Sequence, residues 1–202
     1  MELAYQNNLQ QRPLRAGIVG GGSGAFIGAV HRMAAQLDGQ AVLVAGALSS
    51  REAVAHESAK AWFLQRSYSD FREMAKQEAA REDGIDFVIV ATPNHLHAEV
   101  AIAFINAGIN VMCEKPLAMN VTEAQAIEAA LKEHPVIFGL AHTYTGYPAV
   151  HEAKQKIANG ELGTIRKVLV EYNQDWLMSA LESGPDANKQ ASWRTDPARS
   201  GI

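Results

Sequence analysis

The sequence predicts an α/β fold, a parallel sheet with helices on both faces, followed by the start of a second α/β unit. Three observations carry this. Strand-length apolar runs alternate with stretches of helical spacing from Arg15 to Leu140. Two of those runs, Phe87–Ala91 and Ile109–Cys113, end in polar turns stopped by proline, Thr92-Pro93-Asn94-His95-Leu96-His97 and Glu114-Lys115-Pro116. A glycine loop, Gly20-Gly21-Gly22-Ser23-Gly24, joins the first strand to the first helix.

In chain order, Arg15–Gly20 reads as the first strand. Gly28–Leu37 has helical spacing, with Val30, Met33, Ala34 and Leu37 sharing one face. Ala41–Leu48 is the second strand, Arg51–Leu64 a helix, and Ser67-Tyr68 a short third strand. Ser69-Asp70 caps a helix running to about Arg81. Asp86–Ala91 is the fourth strand, and His97–Ala107 a helix stopped by Gly108. Ile109–Cys113 is the fifth strand, Asn120 opens a helix to Lys132, and Pro135–Leu140 is the sixth strand. Beyond His142, Pro148–Ala158 is helical, Ile165–Tyr172 alternates like an extended segment, and Ser179–Ile202 is Ser/Gly/Pro-rich without periodicity. The divisions are an arm over 1–13, a dinucleotide-binding unit over 14–142, and the incomplete beginning of a substrate and oligomerisation domain over 143–202.

With 202 residues, 48% hydrophobic and 20% charged, the chain has the composition of a globular protein. A net charge of −4 gives no basic footprint for nucleic acid. No apolar run approaches the about 20 residues of a membrane helix, and Met1–Arg15 lacks a signal-peptide layout, so a cytoplasmic protein is expected. The single Cys113, set in an apolar strand, reads as a small buried side chain and excludes a cysteine-cluster metal site.

The glycine loop sits where a Rossmann dinucleotide site needs it. Glycines let the backbone approach a pyrophosphate, and the next helix offers free N–H groups. Gly20-x-Gly22-x-x-Ala25 satisfies the spacing, while Gly28 reads as the helix-packing glycine. The intervening Ser23, Gly24, Ala25, Phe26 and Ile27 make the loop longer than the compact form. Strand two ends in Ser49, Ser50 and Arg51 with no carboxylate for a ribose 2′-hydroxyl. Hydroxyls and a guanidinium suit a 2′-phosphate, so the cofactor is read as NADP or NAD, with NADP favoured. Ser49 can equally cap the following helix. His95 and His97, two apart, do not share a helix face and have no third ligand, so no metal site is expected. His142 and Tyr144 follow strand six and are open to a cleft or a junction role; His31 reads as a packing or solvated residue.

The glycine loop followed by His31, the Thr92-Pro93-Asn94-x-x-His97 turn and Glu114-Lys115-Pro116 together resemble the glucose-fructose oxidoreductase, inositol dehydrogenase and rhizopine-catabolism (Gfo/Idh/MocA) family. Gly160-Glu161-Leu162-Gly163-Thr164-Ile165 and Trp193-Arg194-Thr195-Asp196-Pro197 extend the resemblance to about Leu14–Ile202. The resemblance implies a Rossmann domain followed by an α/β domain whose sheet carries an oligomer interface, giving a homo-oligomer at full length. It implies NAD(P)-dependent oxidation of a sugar, inositol or related polyol. Lys115 would be the catalytic lysine beside the nicotinamide; Thr92, Pro93, Asn94, His97, Glu114 and Pro116 would line the cofactor; and His142, Trp193 and Arg194 would approach the substrate. Family members continue past the Trp-Arg segment to an aspartate and a histidine that complete the catalytic set, so this chain reads as its N-terminal portion. The alternatives are a nucleotide-binding sensor on the same fold and an inactive fragment.

Overall fold

The computed structural model describes residues 12–175, 178, 180, 181, 183, 191 and 194–200. The elements are β1 (Leu14–Gly20), α1 (Phe26–Gln36), β2 (Ala41–Ala47), α2 (Glu52–Ala61), β3 (Arg66–Ser67), α3 (Phe71–Ala79), β4 (Phe87–Ala91), α4 (His97–Asn106), β5 (Asn110–Glu114), α5 (Val121–Glu133), β6 (Phe138–Ala141) and α6 (Pro148–Ala158). Six strands form one parallel sheet in the order β3-β2-β1-β4-β5-β6. The order reverses direction between β1 and β4, the place where ligands bind in open α/β sheets.

Alternation along the central strands builds two cores. Val88 and Val90 of β4 point into one, with Phe104 and Ile105 of α4, Met74 of α3 and Ile127 of α5. Ile89 and Ala91 point the other way, with Ile18 of β1, Ala59 of α2 and the partly buried Ile27 and Ala35 of α1. The local stop signals hold as read: the Asp70 side chain accepts from Arg72 N and Glu73 N at 2.7 and 3.0 Å, Asn120 accepts from Glu123 N at 3.0 Å, and Gly108 has φ +74°.

At the outer edge, the side chain of Glu78, on α3, is fully buried. It accepts from Arg66 Nε and Nη2 at 2.6 and 2.9 Å, from the Tyr68 hydroxyl at 2.8 Å and from Ile85 N at 3.2 Å. Burial, then the neighbouring carboxylate, push the Tyr68 phenol up to about 12.

Three expectations change. The Val30, Met33, Ala34, Leu37 face of α1 points outward, with Met33 63% and Leu37 86% exposed; the packing face is Ile27, Gly28, His31 and Ala35. The sixth strand starts at Phe138 rather than Pro135, since proline has no N–H for the ladder. Ile165–Tyr172 joins no strand ladder: it has no partner strand among the described residues, and both of its faces are exposed. Most of the arm, residues 1–11, lies outside the described residues, while Arg12 ion-pairs with Asp86 at 2.7 Å.

Candidate active site

Four turns at the carboxyl edge of the sheet make up the candidate site. The first follows β1. Gly20 and Gly21 have φ of +78° and +69°, a region that side chains disfavour. A Cβ on Gly28 would lie 2.3 Å from the Gly21 carbonyl oxygen, so Gly28 is the glycine that lets helix and loop touch. Ala25 N donates to Gly22 O at 3.0 Å, and Ser23 N donates to the buried Ser58 hydroxyl at 3.4 Å. Helix α1 then begins with no side-chain cap and no acid in its first turn. The exposed Gly24 and Phe26 and the partly buried Ala25 and Ile27 surround these uncapped N–H groups.

After β2, the Ser49 hydroxyl accepts from Arg51 N at 3.1 Å, leaving the Arg51 side chain and Ser50 exposed. Ser49 thus closes a local turn onto Arg51, the residue just before α2, and the helix itself has no side-chain cap. Glu52 follows in the first turn of α2, and a shallow cavity of about 440 Å³, lined by Glu52, His56, Tyr68 and Ser69, opens between α2 and the β3–α3 turn.

After β4, Thr92 Oγ1 and His95 Nδ1 are buried without hydrogen-bond partners, so the turn holds polar capacity that a ligand can use. Pro93 O accepts from Leu96 N at 3.0 Å, closing the turn, and Asn94 Nδ2 donates to Ser200 O at 2.7 Å. His97 is only 1% exposed; Nδ1 lies 2.6 Å from Pro116 O and Nε2 2.9 Å from Thr92 O. His97 braces the β4 and β5 turns, both ring nitrogens being engaged by their carbonyls.

After β5, Glu114 is buried, and both its oxygens are engaged. Oε1 accepts from His31 Nε2 at 2.8 Å and Oε2 from Lys115 N at 3.1 Å. Burial by itself raises the Glu114 carboxyl; the hydrogen bond from His31 and the His31 and Lys115 charges outweigh it and hold the group below its ordinary value. Lys115 and Pro116, joined by a cis peptide, are exposed. Burial, and secondarily Glu114, push the Cys113 thiol up to about 12, which fits its reading as an inert core residue. Glu114 pairs with Ala141 of β6, so His142 follows on the strand end next to Lys115, and it is exposed.

The turns that the sequence singles out lie along one edge of the sheet, and the His31–Glu114 pair is not among its expectations. Its only sequence signal is that His31 stands three residues after Gly28 on the packing face of α1. Arg194 is exposed; the helical turn Pro197–Ser200 that follows docks on the β4 turn. Trp193 lies outside the described residues.

Comparison with known proteins agrees with this fold. The profile of the oxidoreductase family with an NAD-binding Rossmann fold, GFO_IDH_MocA, matches residues 14–142. The solved structure of an inositol dehydrogenase homolog complexed with NAD+ from Azotobacter vinelandii is 36% identical, with a TM-score of 0.89 over 95% of this chain and 49% of that one. Levoglucosan dehydrogenase of Pseudarthrobacter phenanthrenivorans is 34% identical over 195 residues, 93% of this chain and 46% of the relative. The scyllo-inositol 2-dehydrogenase (NADP(+)) IolU of Bacillus subtilis is 36% identical over 108 residues, 54% of this chain and 31% of that protein. The chain spans about half the length of curated relatives that it matches, 49% and 46%. The match runs from the first residue of β1 to just past β6, the whole of the sheet, and the chain belongs to the Gfo/Idh/MocA oxidoreductase family, with its NAD-binding Rossmann fold.

Proposed function

We propose that this chain forms the cofactor-binding part of an NAD(P)-dependent oxidoreductase acting on a hydroxyl or carbonyl carbon of a sugar, inositol or related polyol. The observation that carries the reading is one edge of the sheet with an uncapped helix N-terminus after β1 and an exposed lysine after β5. The buried, unpartnered Thr92 hydroxyl on the turn between them favours a polar ligand across both. Inositol and levoglucosan dehydrogenases among the relatives support the substrate class.

Phe26, Ile27 and Gly28 would direct backbone N–H groups and the positive end of α1 at the pyrophosphate. The bound nicotinamide supplies the hydride acceptor or donor. Lys115 Nζ would donate to the reacting oxygen and stabilise negative charge there, passing it a proton on carbonyl reduction and, as the neutral amine, taking that proton back on hydroxyl oxidation. Glu114 fixes the backbone from which that lysine projects, and His142 would stand at the substrate side with Arg194.

Ser50 and Arg51, exposed after β2, favour NADP over NAD, since no carboxylate lies before them to repel a 2′-phosphate. Fluorescence titration tests both levels. The chain is expected to bind NADPH more tightly than NADH, and Arg51→Gln to weaken NADPH alone, by about threefold as suits one exposed ion pair. Equal affinities overturn the NADP preference, and binding of neither nucleotide overturns the proposed function.

A further inference from the structure

We infer that His31 is a positioning residue for the nicotinamide end of the cofactor site, acting through Glu114 on Lys115; this rests on the function proposed above. The Glu114 carboxylate only accepts, so the hydrogen in the 2.8 Å contact belongs to His31 Nε2. The other oxygen of the same carboxylate takes the backbone N–H of Lys115 at 3.1 Å. One carboxylate thus fastens the middle of α1 to the residue that begins the β5 turn. Its two ring and backbone partners come from the two ends of the site: α1 offers its N-terminus after the glycine loop, and Lys115 offers its ammonium.

A purely architectural role explains the pair poorly. The side chains are 16% and 8% exposed, and removing charges from water costs about as much as their attraction returns. Apolar residues of similar size would hold α1 on the sheet at least as well, as Ile27 and Ala35 on the same face do. What a hydrogen-bonded pair adds is direction. The Glu114 carboxylate accepts a bond in a fixed line from His31, and its second oxygen is then presented to Lys115 N. Without His31, a buried carboxylate is left half-partnered and free to turn toward the Lys115 ammonium, drawing it away from a ligand.

The test uses binding, not turnover. The chain is titrated with NADH and with ADP-ribose, the same molecule without its nicotinamide, or with NADPH and 2′-phospho-ADP-ribose where those bind more tightly. The wild type is expected to prefer the nicotinamide-bearing ligand. His31→Ala should lose about tenfold in that preference, the size of one charge-assisted hydrogen bond, with ADP-ribose affinity unchanged. His31→Gln, whose amide N–H reaches as far as the ring, should restore most of it; His31→Asn, which is shorter, should not. Lys115→Ala should remove the same preference, and adding His31→Ala to it should cost nothing more. Three results overturn the inference: an unchanged preference in His31→Ala, equal losses for both ligands in parallel with a lower melting temperature, or equal behaviour of the Gln and Asn variants. Should His31→Ala fail to fold, the Gln and Asn pair alone decides. A wild-type chain that binds neither ligand overturns the proposed function itself, a result distinct from these three.

Discussion

The turns after β1 and after β5 lie two strands apart on one sheet edge and are built in opposite ways. The first is a site made by leaving side chains out: positive φ at Gly20 and Gly21, a helix pressed on the loop at Gly28, and an α1 N-terminus with no cap. The second is made by adding them: Glu114, His31 and His97 all hold the backbone around Lys115 and Pro116. Helices α3 and α5 are capped by Asp70 and Asn120 in the ordinary manner. The difference teaches what each turn is for. Backbone N–H groups recognise a phosphate only where nothing else occupies them, whereas a single charged side chain needs its surroundings fixed before it can be aimed.

The largest break in this contrast comes from putting a side chain where the loop has none. Gly28→Val would drive a Cβ into the Gly21 carbonyl, 2.3 Å away. About 3 kcal/mol of stability should be lost, with nucleotide affinity falling at least as steeply; urea unfolding and NADH titration read the two effects. Next comes Glu114→Gln, which weakens both bonds of the β5 turn and should cost about 2 kcal/mol at neutral pH. Its sign with pH is fixed. The folded carboxyl sits below its ordinary value of 4.5, so its contribution is complete above 4.5 and disappears as pH falls through the lower folded value. Melting curves of wild type and variant should therefore converge on acidification; a gap that widens would mean the pair is not ionised. The smallest change sharpens the contrast as a control. Asp70→Ala removes the cap of α3, and should cost about 1 kcal/mol while leaving NADH affinity unchanged.

Much of this was legible because it is local. Strand and helix alternate with different periods, caps stand within a few residues of the ends they serve, and a glycine loop or a proline-stopped turn is written in consecutive letters. The failures are long-range or concern which face wins. The apolar stripe of α1, Val30 to Leu37, is more hydrophobic than the face that packs, because Gly28 and His31 occupy the buried side for contact and hydrogen bonding. Hydrophobic spacing finds an apolar face; it does not identify the one that a glycine contact selects. The His31–Glu114 bond joins residues 83 apart, and nothing near either residue names the other. Ile165–Tyr172 has the right alternation for a strand, but a strand exists only with a neighbour.

The Glu78 grip has a consequence at the far side of the molecule. The outermost strand, β3, is two residues long, too short for its ladder to hold it. Its arginine and the tyrosine that follows are instead fastened to a carboxylate on the neighbouring helix. A margin that short, with a committed charge on it, gives a strand from another molecule almost nothing to copy. The same bonds that keep the sheet from fraying at this end also keep it from growing there.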